Sequence, residues 1–325
     1  MKRLKKNIVP VSVALFPVFL VLLVFRVLFL TDVDISADQH EERHVFGATF
    51  MTMNNPYYQE MDTQMRAKIE MEGDVLLTRD GAMNQGRQNE EILELIEAGA
   101  EVIFVSCVDW ETADEGIFVA AKAGVPVVIV DTPIKNDDDV TCSIVSDNYT
   151  AGVLCAEHLL SVRDSANIIL LEHLSAGSGK ARIRGFVDTI SGHDGFRIVG
   201  SGESDGQIES SMPVMEKLLP QAPEADAVMA LNDPSALGAL AAIEGANLSE
   251  RFLVYGVDGS PDAKALVRDG LMTATCAQFP YRIASEAVAV AYGILAGEET
   301  QKDIVIPVEL VTRDNVGQFG TAGWQ

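Results

Sequence analysis

Residues 252–263 read FLVYGVDGSPDA, and this stretch decides the fold class. The run 252–257 is short, apolar and rich in β-formers, which reads as a buried strand. Asp258 stands at its carboxyl end. Ser260-Pro261 then puts an N-cap residue before a proline at the first helical position, where the missing N–H costs nothing. A strand that hands an acid to a turn and opens a helix is the repeating unit of a parallel α/β sheet. The same grammar recurs at Asn54-Asn55-Pro56 after a strand at 45–51. It recurs again at Asn232-Asp233-Pro234 after a strand at 227–230, where Asp233 is read as the cap. A fourth apolar run, 126–130, ends on Asp131-Thr132.

Further strand candidates lie at 74–78, 101–106, 143–146, 167–171, 197–200, 272–277 and 304–310, mostly separated by amphipathic segments such as 90–98. About eleven strands exceed one compact sheet of usual size, which predicts two Rossmann-like lobes with parallel sheets. The length of 325 residues agrees, and 48% hydrophobic against 22% charged residues excludes a disordered chain. In open α/β sheets ligands bind at the carboxyl edge. That edge carries Asn54, Asn55, Asp131, Asn232, Asp233 and Asp258, and Tyr57-Tyr58 beside it suits either a sugar ring or the core.

The net charge is -24. The first 30 residues hold five of the 24 basic residues and no acid, so the remainder carries 19 basic against 48 acidic residues. Such a surface repels phosphate backbones and argues against nucleic acid as a partner. From Ile8 to Phe25 no charge occurs, and the apolar run continues past Arg26 to Leu30. Lys2, Arg3, Lys5 and Lys6 precede it, which directs the rest of the chain out of the cytoplasm. Residues 1–30 read as a transmembrane anchor or signal segment, with Ile35-Ser36-Ala37 as the one small-residue cleavage candidate, and 31–44 as a polar spacer.

Catalytic and cofactor motifs fail on inspection. Gly177-Ser178-Gly179-Lys180 lacks the first glycine of a phosphate loop, where Leu174 stands, and Ala181 replaces the magnesium-binding hydroxyl. The five histidines show no helical ligand spacing outside the spacer. Asn136-Asp137-Asp138-Asp139 reads as a solvated turn, and the four cysteines form no C-x-x-C pair. No cofactor, metal or enzymatic activity is expected.

Seven stretches then occur in a telling order: NNPYY (54–58), AGVPVVIVDT (123–132), SDNYTAG (146–152), ARIRGF (181–186), NDPSALGAL (232–240), VYGVDGSPDA (254–263) and MTATCAQFP (272–280). Together they resemble the ribose-type sugar-binding proteins of ABC transporters, which have the type I periplasmic-binding fold. The resemblance implies one sugar-binding lobe of 45–145 plus 279–309, a second of 146–278 plus 310–325, and a three-segment hinge near Val145, Gln278 and Glu309. It implies ligand contacts from Asn55, Tyr57 or Tyr58 and Asp131 in the first lobe. Arg182, Asn232 and Asp258 would supply the second, with Gln278 at the hinge. Thr132 stands where ribose binders carry an arginine, and 204–207 offers no aromatic where one is usual. The implied function is extracytoplasmic capture of a monosaccharide or related polyol by hinge closure, for delivery to an ABC permease and ATPase. A sugar-sensing subunit signalling to a membrane histidine kinase is the alternative.

Overall fold

The computed structural model describes residues 43–325. The apolar run at 8–30 and most of the spacer lie outside them, and among the described residues no helix is long and apolar enough to cross a membrane.

Two six-stranded sheets form the frame. The first runs in the order β2 (Val75–Asp80), β1 (Val45–Phe50), β3 (Val102–Val105), β4 (Val127–Val130), β5 (Cys142–Ser146) and β11 (Asp303–Ile306), with every pair parallel. The second runs β7 (Phe196–Glu203), β6 (Ala166–Glu172), β8 (Ala227–Ala230), β9 (Leu253–Asp258), β10 (Ala274–Ala277) and β12 (Glu309–Thr312). Its pairs are parallel except β12 with β10, where Ala277 faces Glu309 in antiparallel register. Around them lie α1 (Pro56–Met71), α2 (Gln85–Glu97), α3 (Asp114–Lys122), α4 (Asn148–Val162), α5 (Gly177–Ile190), α6 (Ile208–Leu218), α7 (Asp233–Gly245), α8 (Pro261–Asp269), α9 (Pro280–Leu295) and α10 (Val316–Phe319).

Successive side chains of a strand point to opposite faces, so a sheet covered on both sides feeds two cores. In β3, Val102 and Phe104 join one cluster with α1 and α9, while Ile103 and Val105 join another with α2 and α3. In β8, Val228 and Ala230 pack toward α7, and Ala227 and Met229 toward α4 and α5. Cys107, Cys142, Cys155 and Cys276 are buried free thiols within this packing.

Two readings of the sequence are corrected. The stretch 304–310, expected as one strand, is two short strands in different sheets. Pro307 has no N–H to give a ladder, and the chain leaves the first sheet there, so Glu309 already pairs in the second. The cap of α7 is Asn232, whose Oδ1 accepts from the Ser235 N–H at 3.0 Å. Asp233 turns inward instead, accepting from Thr275 Oγ1 at 2.6 Å and the Ser260 N–H at 2.7 Å.

The chain passes from the first sheet to the second between Ser146 and Asn148, returns after Gln278 so that α9 packs on α1, and passes again at 307–308. Just beyond the first passage, α4 and α5 meet backbone to backbone. A Cβ on Gly152 would overlap the Arg182 carbonyl, and one on Gly185 the Tyr149 carbonyl. Two glycines therefore fix the seat of the helix that carries Arg182. Gly152→Ala is expected to destabilise the fold by about 1–3 kcal/mol, since a packed backbone must move apart. Gly245→Ala, which meets nothing within 4 Å, is the control and leaves the melting temperature unchanged or raised. Equal midpoints for the two variants would contradict this packing.

Candidate functional site

The carboxyl ends of the two sheets face each other across a narrow cavity. From the first sheet come Asn55, Tyr57 and Tyr58 in the turn that opens α1, and Asp131 after β4. From the second come Arg182 on α5, Asn232 after β8, Asp258 ending β9 and Gln278 after β10. Eight of the nine residues singled out in the sequence thus line one cavity. Thr132 is fully buried and stands behind Asp131. Its Oγ1 donates to Asp131 Oδ2 at 2.9 Å and lies 3.2 Å from Ser178 Oγ on the opposite sheet's side.

Arg182 is tied on three sides. Its Nε donates to Asn148 Oδ1 at 2.8 Å, its Nη1 donates to the Leu231 carbonyl at 3.0 Å, and Nη1 stands 3.6 Å from Asp258 Oδ1. Asp258 also accepts from Gln278 Nε2 at 2.8 Å, and Asp131 accepts from the Tyr58 hydroxyl at 3.0 Å. Asn55 and Asn232 spend their carbonyls on helix caps, and Asn232 Nδ2 donates to the Gly206 carbonyl at 2.9 Å. Both aspartates sit at positive φ, +67° for Asp131 and +141° for Asp258. Each such backbone costs about 1–3 kcal/mol, and the surrounding hydrogen bonds hold it in place.

Three buried polar atoms on this wall have no partner: the Tyr57 hydroxyl, Asp131 Oδ1 and Gln278 Oε1. Buried polar groups are nearly always paired, so three on one cavity mark where an incoming molecule supplies the missing bonds.

Sequence reasoning did not single out Ser178 or His173 as site residues, and they line the cavity together with 205–207, the stretch noted for its missing aromatic. Asn54 Nδ2 donates across the cleft to Gln207 Oε1 at 3.1 Å, and the Trp110 N–H donates to the Ser175 carbonyl at 2.9 Å, so the lobes are in contact. The segment ending the chain was missed as well. Trp324 meets the Tyr57 ring edge to face at 5.5 Å, and Gln325 Nε2 donates to the Asp258 carbonyl at 3.1 Å. Only the rarity of tryptophan could have drawn attention to it.

Among the described residues, one group could bring metal-ligand atoms within 4.8 Å of one another, His173, Glu203 and Asp205. Two of its members, His173 and Glu203, already have partners. Ser175 Oγ bonds the His173 ring at 2.8 Å, and the backbone N–H groups of Leu174 and Asp205 donate to Glu203.

Burial raises the pKa of Asp131, opposed by Arg182 and by the hydroxyls of Thr132, Tyr58 and, more weakly, Tyr57. Burial raises Asp258 further, again opposed by Arg182 but reinforced by the neighbouring Asp233. Tyr57 and Tyr58 are held well above the usual phenol range by burial and by Asp131, so both keep their protons.

A family model described as a periplasmic binding protein domain matches residues 46–299. The chain is 29% identical over 265 residues to the ribose import binding protein of Salmonella typhimurium, covering 81% of this chain and 88% of that one. It is 28% identical over 275 residues to the ribose import binding protein of Bacillus subtilis, covering 84% and 89%. Among solved structures, an ABC transporter solute binding protein from Bacillus halodurans with bound myo-inositol superposes with a TM-score of 0.80 at 26% identity, covering 85% of this chain and 97% of that one.

The Asp131 carboxylate, bonded at Oδ2 but not at Oδ1, gives a direct check on these electrostatics. A raised pKa means that the folded state binds a proton more tightly than the unfolded chain. The resulting stability is complete below the ordinary carboxylate range and is lost as pH rises through the raised value. Asp131→Asn keeps the shape without the charge, so its melting temperature should exceed that of the wild type at about pH 8, with the gap closing toward about pH 4. A gap that does not change with pH would show that Asp131 titrates normally.

Proposed function

Because the chain belongs to the periplasmic binding protein family, we propose that it is an extracytoplasmic substrate-binding protein that captures a monosaccharide or related polyol between its lobes and delivers it to an ABC importer. The observation that carries this reading is the set of unpartnered atoms on the cavity wall, Tyr57 OH, Asp131 Oδ1 and Gln278 Oε1. An unmet buried group costs about 1–3 kcal/mol, and a polyol presents hydroxyls that donate and accept at several angles. The import names of the ribose-binding relatives, and the myo-inositol bound by the Bacillus halodurans protein, support a polyhydroxylated ligand.

In this reading the lobes are 45–145 with 279–309 and 146–278 with 310–325, and they close about the three passages. Asn55, Tyr57, Tyr58, Asp131, Arg182, Asn232, Asp258 and Gln278 contact the ligand, and Thr132 acts from behind Asp131. Residues 1–30 hold the protein to the outer face of the cytoplasmic membrane. The basic residues before the apolar run support that placement, which would keep the protein beside the permease. A sensing subunit for a membrane kinase could use the same pocket. The import reading is preferred on the names of the relatives.

Specificity follows from the departures at Thr132 and the tyrosines. A short hydroxyl in place of an arginine leaves room, and the Tyr57 hydroxyl needs a partner. Calorimetry across pentoses, hexoses and cyclitols is expected to rank a larger or more hydroxylated ligand about ten-fold above ribose. For that ligand, Arg182→Ala and Asp258→Ala should each lose about ten- to a hundred-fold in affinity. No binding by any member of the panel, or full affinity in both folded variants, would overturn the proposal.

A further inference from the structure

We infer that the preferred ligand carries a positively charged amino group seated against Asp131. The inference rests on the reading of the cleft as a polyol site and names the class of polyol. It comes from the two buried carboxylates that line the cavity: among the described residues Asp258 has an ion pair and Asp131 has none.

Asp258 has the Arg182 guanidinium 3.6 Å away. Asp233, buried behind it, is held by Thr275 and the Ser260 N–H and feels the buried ammonium of Lys264. Arg182 acts on Asp131 only from a distance, and the groups that hydrogen-bond to it are neutral. The Tyr58 and Thr132 hydroxyls both donate to Oδ2, and Oδ1 has no partner. Among the described residues Asp131 has no ion pair, and Arg182 is already committed to Asp258, Asn148 and Leu231. Burial holds the His173 imidazole toward its neutral form, so it brings no compensating charge.

A buried carboxylate without a cation is unfavourable unless it takes a proton or a counter-charge arrives. A neutral hydroxyl can bond to Oδ1 but leaves the charge in place. An ammonium removes both deficits, with three donors and no acceptor. The other orphaned atoms agree with such a guest, since Gln278 Oε1 can only accept and the Tyr57 hydroxyl is able to. The approach is acidic too. Asp205 lines the cavity, Glu203 is exposed close to it, and the whole chain carries -24. Such a field concentrates cations at the cleft and repels anions.

Matched pairs on the full-length protein test the inference: glucose with glucosamine, myo-inositol with an aminodeoxyinositol, and ribitol with 1-amino-1-deoxyribitol. In the tightest-binding pair the amine should bind about ten-fold or more tightly than its hydroxyl counterpart at neutral pH. Asp131→Asn should bring the two members within about three-fold of each other. Hydroxyl members that bind as tightly as the amines in every pair would overturn the inference, as would an amine advantage that survives Asp131→Asn. The wild-type ratios decide the matter even if the variant does not fold. In those outcomes the polyol reading stands on the affinity of the neutral members. Binding by neither member of any pair would overturn both.

Discussion

The position of the Arg182 guanidinium governs the cleft. It is donated into the space between four elements: the start of α4 through Asn148, the end of β8 through Leu231, the end of β9 through Asp258, and its own helix α5. Removing it would leave Asp258 buried and uncompensated, a far larger loss than one hydrogen bond. The helix beneath it is placed by backbone contact at Gly152 and Gly185. Asn148, which holds its Nε, sits directly after the first passage between sheets and anchors itself by donating from Nδ2 to the Ser146 carbonyl at 3.0 Å. The first passage between the sheets and the pocket are therefore linked through the hydrogen bond from Arg182 to Asn148.

The first-sheet half of the site is assembled differently. Asp131 has no cation and is steadied by hydroxyls, from Tyr58 on α1 and from Thr132, which also reaches Ser178 across the cleft. One half-site is thus preformed by a charge pair and the other by neutral donors around an exposed demand for partners. The segment 323–325 ties the two together from below. The buried Lys264 ammonium donates to the Gly323 carbonyl at 2.8 Å and Gln325 Oε1 at 2.7 Å. Trp324 rests on Tyr57 from the first-sheet half, and Gln325 bonds the backbone of Asp258 from the second.

Much of this was legible in the sequence because it is written in local chemistry. The run 252–257 followed by Asp258 and Ser260-Pro261 specifies a strand, a polar turn and a capped helix without reference to anything distant, and the structure has β9 and α8 there. The edge residues Asn55, Asp131, Asn232 and Asp258 could be read for the same reason. What could not be read depends on partners far away in the chain. Whether Asn232 or Asp233 caps α7 is decided by Thr275 and Ser260, which draw Asp233 inward. Whether 304–310 is one strand or two is decided by which sheet has an open edge on each side of Pro307. Ser178 and His173 carry no local signal, because only the folding of one sheet's edge against the other brings them to the cavity, and Trp324 meets Tyr57 only through the same folding.

The central claim is that two half-sites, each with buried groups that lack partners, close upon a ligand which completes them. Hydrogen bonds from Asn54 to Gln207 and from the Trp110 backbone N–H to the Ser175 carbonyl cross the cleft between the two halves. Small-angle scattering of the protein with and without its tightest-binding polyol tests this most directly. The account predicts a larger radius of gyration without ligand and a decrease on saturation, as the lobes swing together about the three passages. Superimposable profiles in the two states would contradict it and require recognition by a rigid cleft.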